Sequence, residues 1–169
     1  MTTPSEGRRI TVRMFPDYAG TVLWLGEPVG YERTGLTPEL IRALQSWEES
    51  YYESLAPGLD WMSVDAAHRF TAEGNRLAGL VADELGERYD VAFTSYEDGA
   101  PAGIFHSPGP AGNAKAAAAF DALSAALHAK LNDEDRGQDP ARQGEATGWY
   151  AWSPLSDTSF GPRPQEDGQ

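Results

Sequence analysis

Residues 36–55, LTPELIRALQSWEESYYESL, constrain the fold more than any other stretch, because the helix they encode has one face that must be buried. At roughly 100° per residue, Leu40, Leu44, Trp47, Tyr51 and Leu55 line one stripe, with Ile41 at its edge. Arg42, Ser46, Glu49 and Glu53 fall on the opposite side, toward water. Thr37 suits the N-cap, Pro38 the first helical position and Glu39 the positive end of the helix dipole. Leu36 can staple onto Ile41. A helix of this length is marginal alone in water, so the stripe demands a partner layer. Glu48 interrupts the apolar side near Ile41, Leu44 and Leu55. Burying a lone carboxylate is costly, so Glu48 is expected at the rim or against an arginine; the functional alternative is a carboxylate in a groove.

Alternating runs supply the other layer. Within residues 9–15, Ile10, Val12 and Met14 share one face and Thr11, Arg13 and Phe15 the other. Residues 16–20 are turn-forming and residues 21–25 are β-prone, which together read as a hairpin, with a loop over 26–35. Residues 89–96 alternate again, and residues 103–107 can form a short edge strand. Between them a second helix begins at Ser63 or Thr71 and runs to Leu85, with Gly86 just past its end. Its face of Phe70, Leu77, Val81 and Leu85 also carries Gly74. Glycine costs about 1 kcal/mol against alanine inside a helix, so Gly74 implies a neighbour in close approach. His68 projects to the other side, near Arg76 and Asp83, and is expected to be solvated. Asn113 caps a third, alanine-rich helix with a narrow stripe of Ala116, Phe120, Leu123, Leu127 and Leu131, ending near Leu131.

These elements imply an α+β fold: a two-layer sandwich in which a small, mainly antiparallel sheet of residues 9–15, 21–25 and 89–96 is covered by two long helices, with an extra C-terminal helix. Residues 1–8 read as a disordered leader, 9–131 as the domain, and 132–169 as an acidic, flexible tail bearing an aromatic island at 149–152. Trp149 and Trp152 of that island either dock back on the domain or anchor a partner.

The chemistry that the sequence excludes is extensive. With no cysteine there are no disulfides, thiol nucleophiles or zinc-thiolate sites. His68, His106 and His128 lack the i, i+4 spacing of a helical metal site. No phosphate-binding loop, dinucleotide fingerprint or nucleophile elbow is present, and no cofactor is expected. Asp65 and His68 could touch on one helix, but no nucleophile completes them. The net charge of −13 is concentrated in residues 37–99, where 13 acidic side chains face 4 basic ones. Direct nucleic-acid binding, which uses cationic contacts to phosphate, is disfavoured, and a basic protein partner is favoured. No apolar run reaches membrane-spanning length, no signal-peptide hydrophobic region follows the N-terminus, and the expected location is cytoplasmic. The sequence sets no oligomeric state.

Asp17-Tyr18, Val22-Leu23-Trp24, Leu36-Thr37-Pro38-Glu39-Leu40, Trp47, Phe70-Thr71-Ala72-Glu73-Gly74 and Leu85-Gly86 occur in a recurring order. In this the chain resembles a group of short, uncharacterised actinobacterial proteins of strand–strand–helix–helix–strand organisation, over about residues 9–96. The resemblance implies no known activity and suggests an immunity or accessory role. Beyond Tyr96 the added helix and aromatic tail depart from the pattern.

The expected function is therefore non-enzymatic: an acidic protein-binding domain, of the kind an immunity-type inhibitor would use against a basic protein. Asp17 and Tyr18 on the turn, with Glu49 and Glu53 on the first helix, are the candidate contacts there. The bland reading of Tyr18 and Trp24 is that they complete the sheet's packing while Asp17 bonds the turn backbone. One alternative is an assembly subunit that binds neighbouring chains through the third helix and Trp149 to Trp152; another is an enzyme using Glu48 in a groove.

Overall fold

A β-strand puts successive side chains on opposite faces, and residues 9–15 use that alternation to bury one face only. A computed structural model describes residues 7–137, 151–153 and 158–160. In β1 (Ile10–Met14), Val12 and Met14 are fully buried while Thr11 and Arg13 face out. β2 (Leu23–Leu25) runs antiparallel to it, placing Trp24 opposite Arg13, and β3 (Glu27–Pro28) adds a two-residue edge. A 3-10 turn at Tyr31–Arg33 leads into α1 (Pro38–Glu53), then α2 (Val64–Leu85), β4 (Tyr89–Phe93), β5 (Gly103–His106) and α3 (Ala114–Gly137).

The strand order is β3-β2-β1-β4-β5. Three of its pairs are antiparallel, and the central pair, β1 with β4, is parallel from Ile10 opposite Tyr89 to Met14 opposite Phe93. A parallel pair needs a long crossover, and the segment holding α1 and α2 supplies it. The fold is thus the expected α+β arrangement with a mixed sheet. Alternation reveals a strand and its buried face but carries no sign of its direction.

One face of the sheet makes the core. Val12, Met14, Leu23, Val91 and Phe93 pack there with Leu44 of α1, with Phe70, Leu77 and Val81 of α2, and with Ala116 and Phe120 of α3. Trp47 stacks on Phe70 with ring centroids 4.8 Å apart and meets Phe93 edge-on at 5.4 Å. Its indole N–H donates to the Phe70 carbonyl at 3.0 Å, so a large ring is buried without an orphaned donor. Gly74 explains itself here. A Cβ on it would stand 2.7 Å from Trp47 Cζ2 and closer still to the Phe93 ring.

Several local expectations change. Thr37 does not cap α1 with its own side chain. Instead the Glu84 carboxylate of α2 accepts the Thr37 N–H at 3.0 Å, the Thr37 hydroxyl at 2.6 Å and the Asn113 amide at 2.9 Å. Asn113 in turn accepts the Ala116 N–H at the start of α3, so one carboxylate ties two helix N-termini together. The third strand stops at Phe93 rather than Tyr96, because Ser95 turns its buried side chain toward Thr71 and accepts the Glu97 N–H. Ser63, not Thr71, begins α2, accepting the Ala66 N–H at 3.0 Å. α3 continues six residues past Leu131, and its stripe is buried only at the N-terminal end: Ala116 and Phe120 are sealed, whereas Leu131 is half exposed.

The chain forms two compact units, residues 1–128 and 129–169. The second holds the end of α3 and an antiparallel pair, β6 (Ala151–Ser153) with β7 (Thr158–Phe160), in which Trp152 lies opposite Ser159. Trp149, residues 1–6 of the expected leader and most of the expected flexible tail lie outside the described residues. Among the described residues no helix is long and apolar enough to cross a membrane.

Candidate protein-binding surface

The turn after β1 and the C-terminal half of α1 are 34 residues apart in sequence and meet at one contact. The Tyr18 ring lies on the Tyr52 ring with centroids 4.6 Å apart, and the Tyr18 N–H donates to Tyr52 Oη at 2.8 Å. Tyr18 is nevertheless 76% exposed, and its φ is +41°. The left-handed region costs a non-glycine residue roughly 1–2 kcal/mol, and an exposed aromatic recovers little of that through burial. Strained positions of this kind cluster at functional sites. Tyr18 therefore does not complete the sheet's packing. Among the described residues Asp17 makes no side-chain hydrogen bond, so it does not tie the turn either.

From Tyr52 an aromatic array runs on. Tyr51 contacts Tyr52, Trp61, Phe70 and Tyr96 at centroid distances between 5.0 and 5.7 Å. Trp61 sits in the loop after α1, and its indole N–H points to the Tyr96 carbonyl at 3.4 Å. The Tyr96 hydroxyl donates to the Pro16 carbonyl at 2.8 Å, closing the circuit back to the turn. Phe70 anchors this array in the core; Tyr51, Tyr52 and Trp61 are half-buried and Tyr96 is 44% exposed. The loop also displays Leu59 and Met62 to solvent, as the first residue of α2 does Val64, and Leu59 has a φ of +64°. Both non-glycine residues with positive φ among the described residues thus border this one surface.

Two carboxylates, Asp17 and Glu48, act on these rings. Asp17, Glu49 and Glu53 are exposed, and Glu48 is half-buried. Burial and then the neighbouring Glu49 hold the Glu48 carboxyl above its ordinary range. Among the described residues Glu48 has no arginine partner, which sets aside one of the two bland expectations and leaves it at the rim. Tyr31 is pushed up to about 12 by its own burial and then by Glu48. Burial raises Tyr52 as well, with Glu48, Tyr18 and Asp17 adding to it. Tyr96, at about 12, is raised by burial and then by Tyr51 and Asp17. The common and largest cause is burial, with the nearby carboxylates Glu48, Glu49 and Asp17 adding to it.

His68 is exposed as expected, but its contacts differ. It pairs with Glu97 in the loop after β4, whose other oxygen accepts the Thr71 hydroxyl, while Arg76 pairs with Glu73 instead. No group of three or more metal-ligating side chains occurs among the described residues. Trp149 and the side chain of Trp152 lie outside the described residues.

Asp17 and Tyr18 thus sit beside an aromatic array, Tyr51, Tyr52, Trp61 and Tyr96, that sequence reasoning missed, while Glu49 and Glu53 stand exposed on α1 with no contact to these rings among the described residues. The 3.6-residue period assigns Tyr51 to the buried stripe. A signal for the others was present: Tyr52, the neighbour of a stripe residue, falls between the buried stripe and the acidic face, which is the position of an amphipathic rim.

The family model described as Serratia CdiI immunity protein-like matches residues 10–96, a span that contains every residue of this surface. No curated protein and no solved structure matches the chain.

Proposed function

The chain belongs to the Serratia CdiI immunity protein-like family, and on that premise we propose that it is a non-enzymatic inhibitor that neutralises a basic protein through the Tyr18–Tyr52 surface. The observation that carries this reading is the strained, exposed Tyr18 laid on Tyr52 among uncompensated carboxylates. Tyrosine and tryptophan dominate the energetic centres of protein interfaces because they bury large area at low entropic cost. A preformed aromatic array over a rigid core supplies such a centre, and the acidic rim steers and orients a cationic partner. Cation–π contact and ion pairing then act on the same lysines or arginines.

The test uses a basic protein encoded beside this chain as the candidate partner. Association should slow at least about tenfold between roughly 50 and 500 mM salt, because charged encounter is screened. Tyr18→Gly should weaken binding about tenfold or more, chiefly through faster dissociation. Salt-independent association, or full affinity in the Tyr18 variant, would overturn the reading.

A further inference from the structure

Beside the aromatic array lies a pocket of about 380 Å³, walled by Trp61, Val64 and Ala67 and closed by His68, Glu97 and Asp98. It is a built feature. Glu97 is held from three sides: His68 and the Thr71 hydroxyl meet its two carboxylate oxygens, and its own N–H donates to Ser95 Oγ at 3.1 Å. Ser95 is itself buried and bonded to Thr71 at 2.6 Å, so the carboxylate is fixed before any ligand arrives. The Glu97 side chain is only 13% exposed, while Asp98 is open to solvent and makes no hydrogen bond or ion pair among the described residues. No lysine or arginine lines the pocket. An aromatic wall, one fixed carboxylate and one unengaged carboxylate form a socket for a flat, delocalised cation. A guanidinium suits it better than an ammonium, since it can lie against an indole and direct several N–H groups at two acids at once. At the small end of the range for ligand clefts, the volume admits one long side chain rather than a folded segment.

We propose that this pocket seats an arginine side chain of the protein partner, with Trp61 against its stem and Glu97 and Asp98 accepting its N–H groups. The partner as the source of the arginine rests on the function proposed above; the pocket's selectivity for guanidinium does not. The experiment titrates the full chain, labelled with nitrogen-15, with N-acetyl-L-arginine amide and, in parallel, with the neutral isostere N-acetyl-L-citrulline amide. The arginine probe should shift the Trp61 indole and the Glu97 and Asp98 amides, saturating at roughly millimolar concentration, as a single unassisted side chain does. Citrulline should shift them at least about tenfold more weakly, since it lacks the charge that the carboxylates read. Asp98→Asn, at an exposed position that the fold does not use, and Glu97→Gln, which keeps the hydrogen-bonding shape, should each weaken the arginine titration. Tyr18→Gly should leave it intact, so a partner that fails to bind the Tyr18 surface and a pocket that fails to bind guanidinium give different results. Equal responses to arginine and citrulline, shifts that bypass Trp61, or titrations unchanged in both acid variants would overturn the proposal.

Discussion

Gly74→Ala sets two effects of opposite sign against each other in the middle of α2. Helix propensity alone favours alanine by about 1 kcal/mol, and burying a methyl group could add about 0.8 kcal/mol if there were room. There is no room. The new Cβ would lie 2.7 Å from Trp47 Cζ2 and nearer still to Phe93, against an optimal carbon separation of about 3.5–4.0 Å. Neither ring can easily retreat: Trp47 is held by its bond to the Phe70 carbonyl and its stack on Phe70, and Phe93 belongs to a central strand. Overpacking of this kind costs about 1–3 kcal/mol, and each aromatic pair displaced costs about 0.5–1.5 kcal/mol more. The clash should win, for a net loss of about 1–3 kcal/mol and a Tm lower by roughly 3–10 °C at this chain length. Gly79, five residues on in the same helix, is the matched control, because a Cβ there meets nothing within 4 Å. Gly79→Ala should raise stability by about 0.5–1 kcal/mol. Urea and thermal unfolding followed by circular dichroism measure both. If Gly74→Ala is as stable as Gly79→Ala, the packing of α1 and α2 against β4 is wrong.

Other perturbations probe separate parts of the argument. Glu84→Ala strips the acceptor from Thr37 and Asn113 at once and should cost about 2 kcal/mol in urea unfolding, with Glu84→Gln intermediate; an unchanged midpoint would show that the shared cap is not stabilising. For Glu48 the carboxyl is raised in the folded chain, so its charge costs stability once pH exceeds its folded value, and that cost vanishes below the ordinary value near 4.5. Glu48→Gln should therefore add on the order of 0.5 kcal/mol at neutral pH, after allowing for screening on its exposed side, and nothing at low pH; a pH-independent difference would refute the assignment. Tyr18→Gly exchanges a strained backbone and one exposed ring stack for relaxed glycine, so its unfolding midpoint should stay within about 0.5 kcal/mol of the native chain. A loss of 2 kcal/mol or more would make Tyr18 a structural residue.

The layers of the fold were legible because burial leaves a period in the sequence. The stripe from Leu40 to Trp47 and the alternation of Val12 with Met14 and of Val91 with Phe93 all describe residues that the folded chain buries. Gly74 was legible for a related reason, since glycine on a buried helical face needs a cause. Pairing direction was not, because β1 and β4 alternate identically whether parallel or antiparallel. Glu84 as a shared cap lies beyond local pattern: its partners Thr37 and Asn113 are 47 and 29 residues away. The same limit applies to the surface. Asp17 and Tyr18 could be picked out as turn residues, but Tyr52, Trp61 and Tyr96 gain meaning only when the fold brings them to that turn.

The most direct test of the central claim is amide hydrogen exchange of this chain with and without the proposed basic protein partner. Protection is expected at residues 16–20, at 48–55 and around Trp61, with the opposite sheet face bearing Trp24 and Ile104 unchanged. Protection confined to that opposite face, with the Tyr18–Tyr52 surface exchanging as freely as before, would contradict the account.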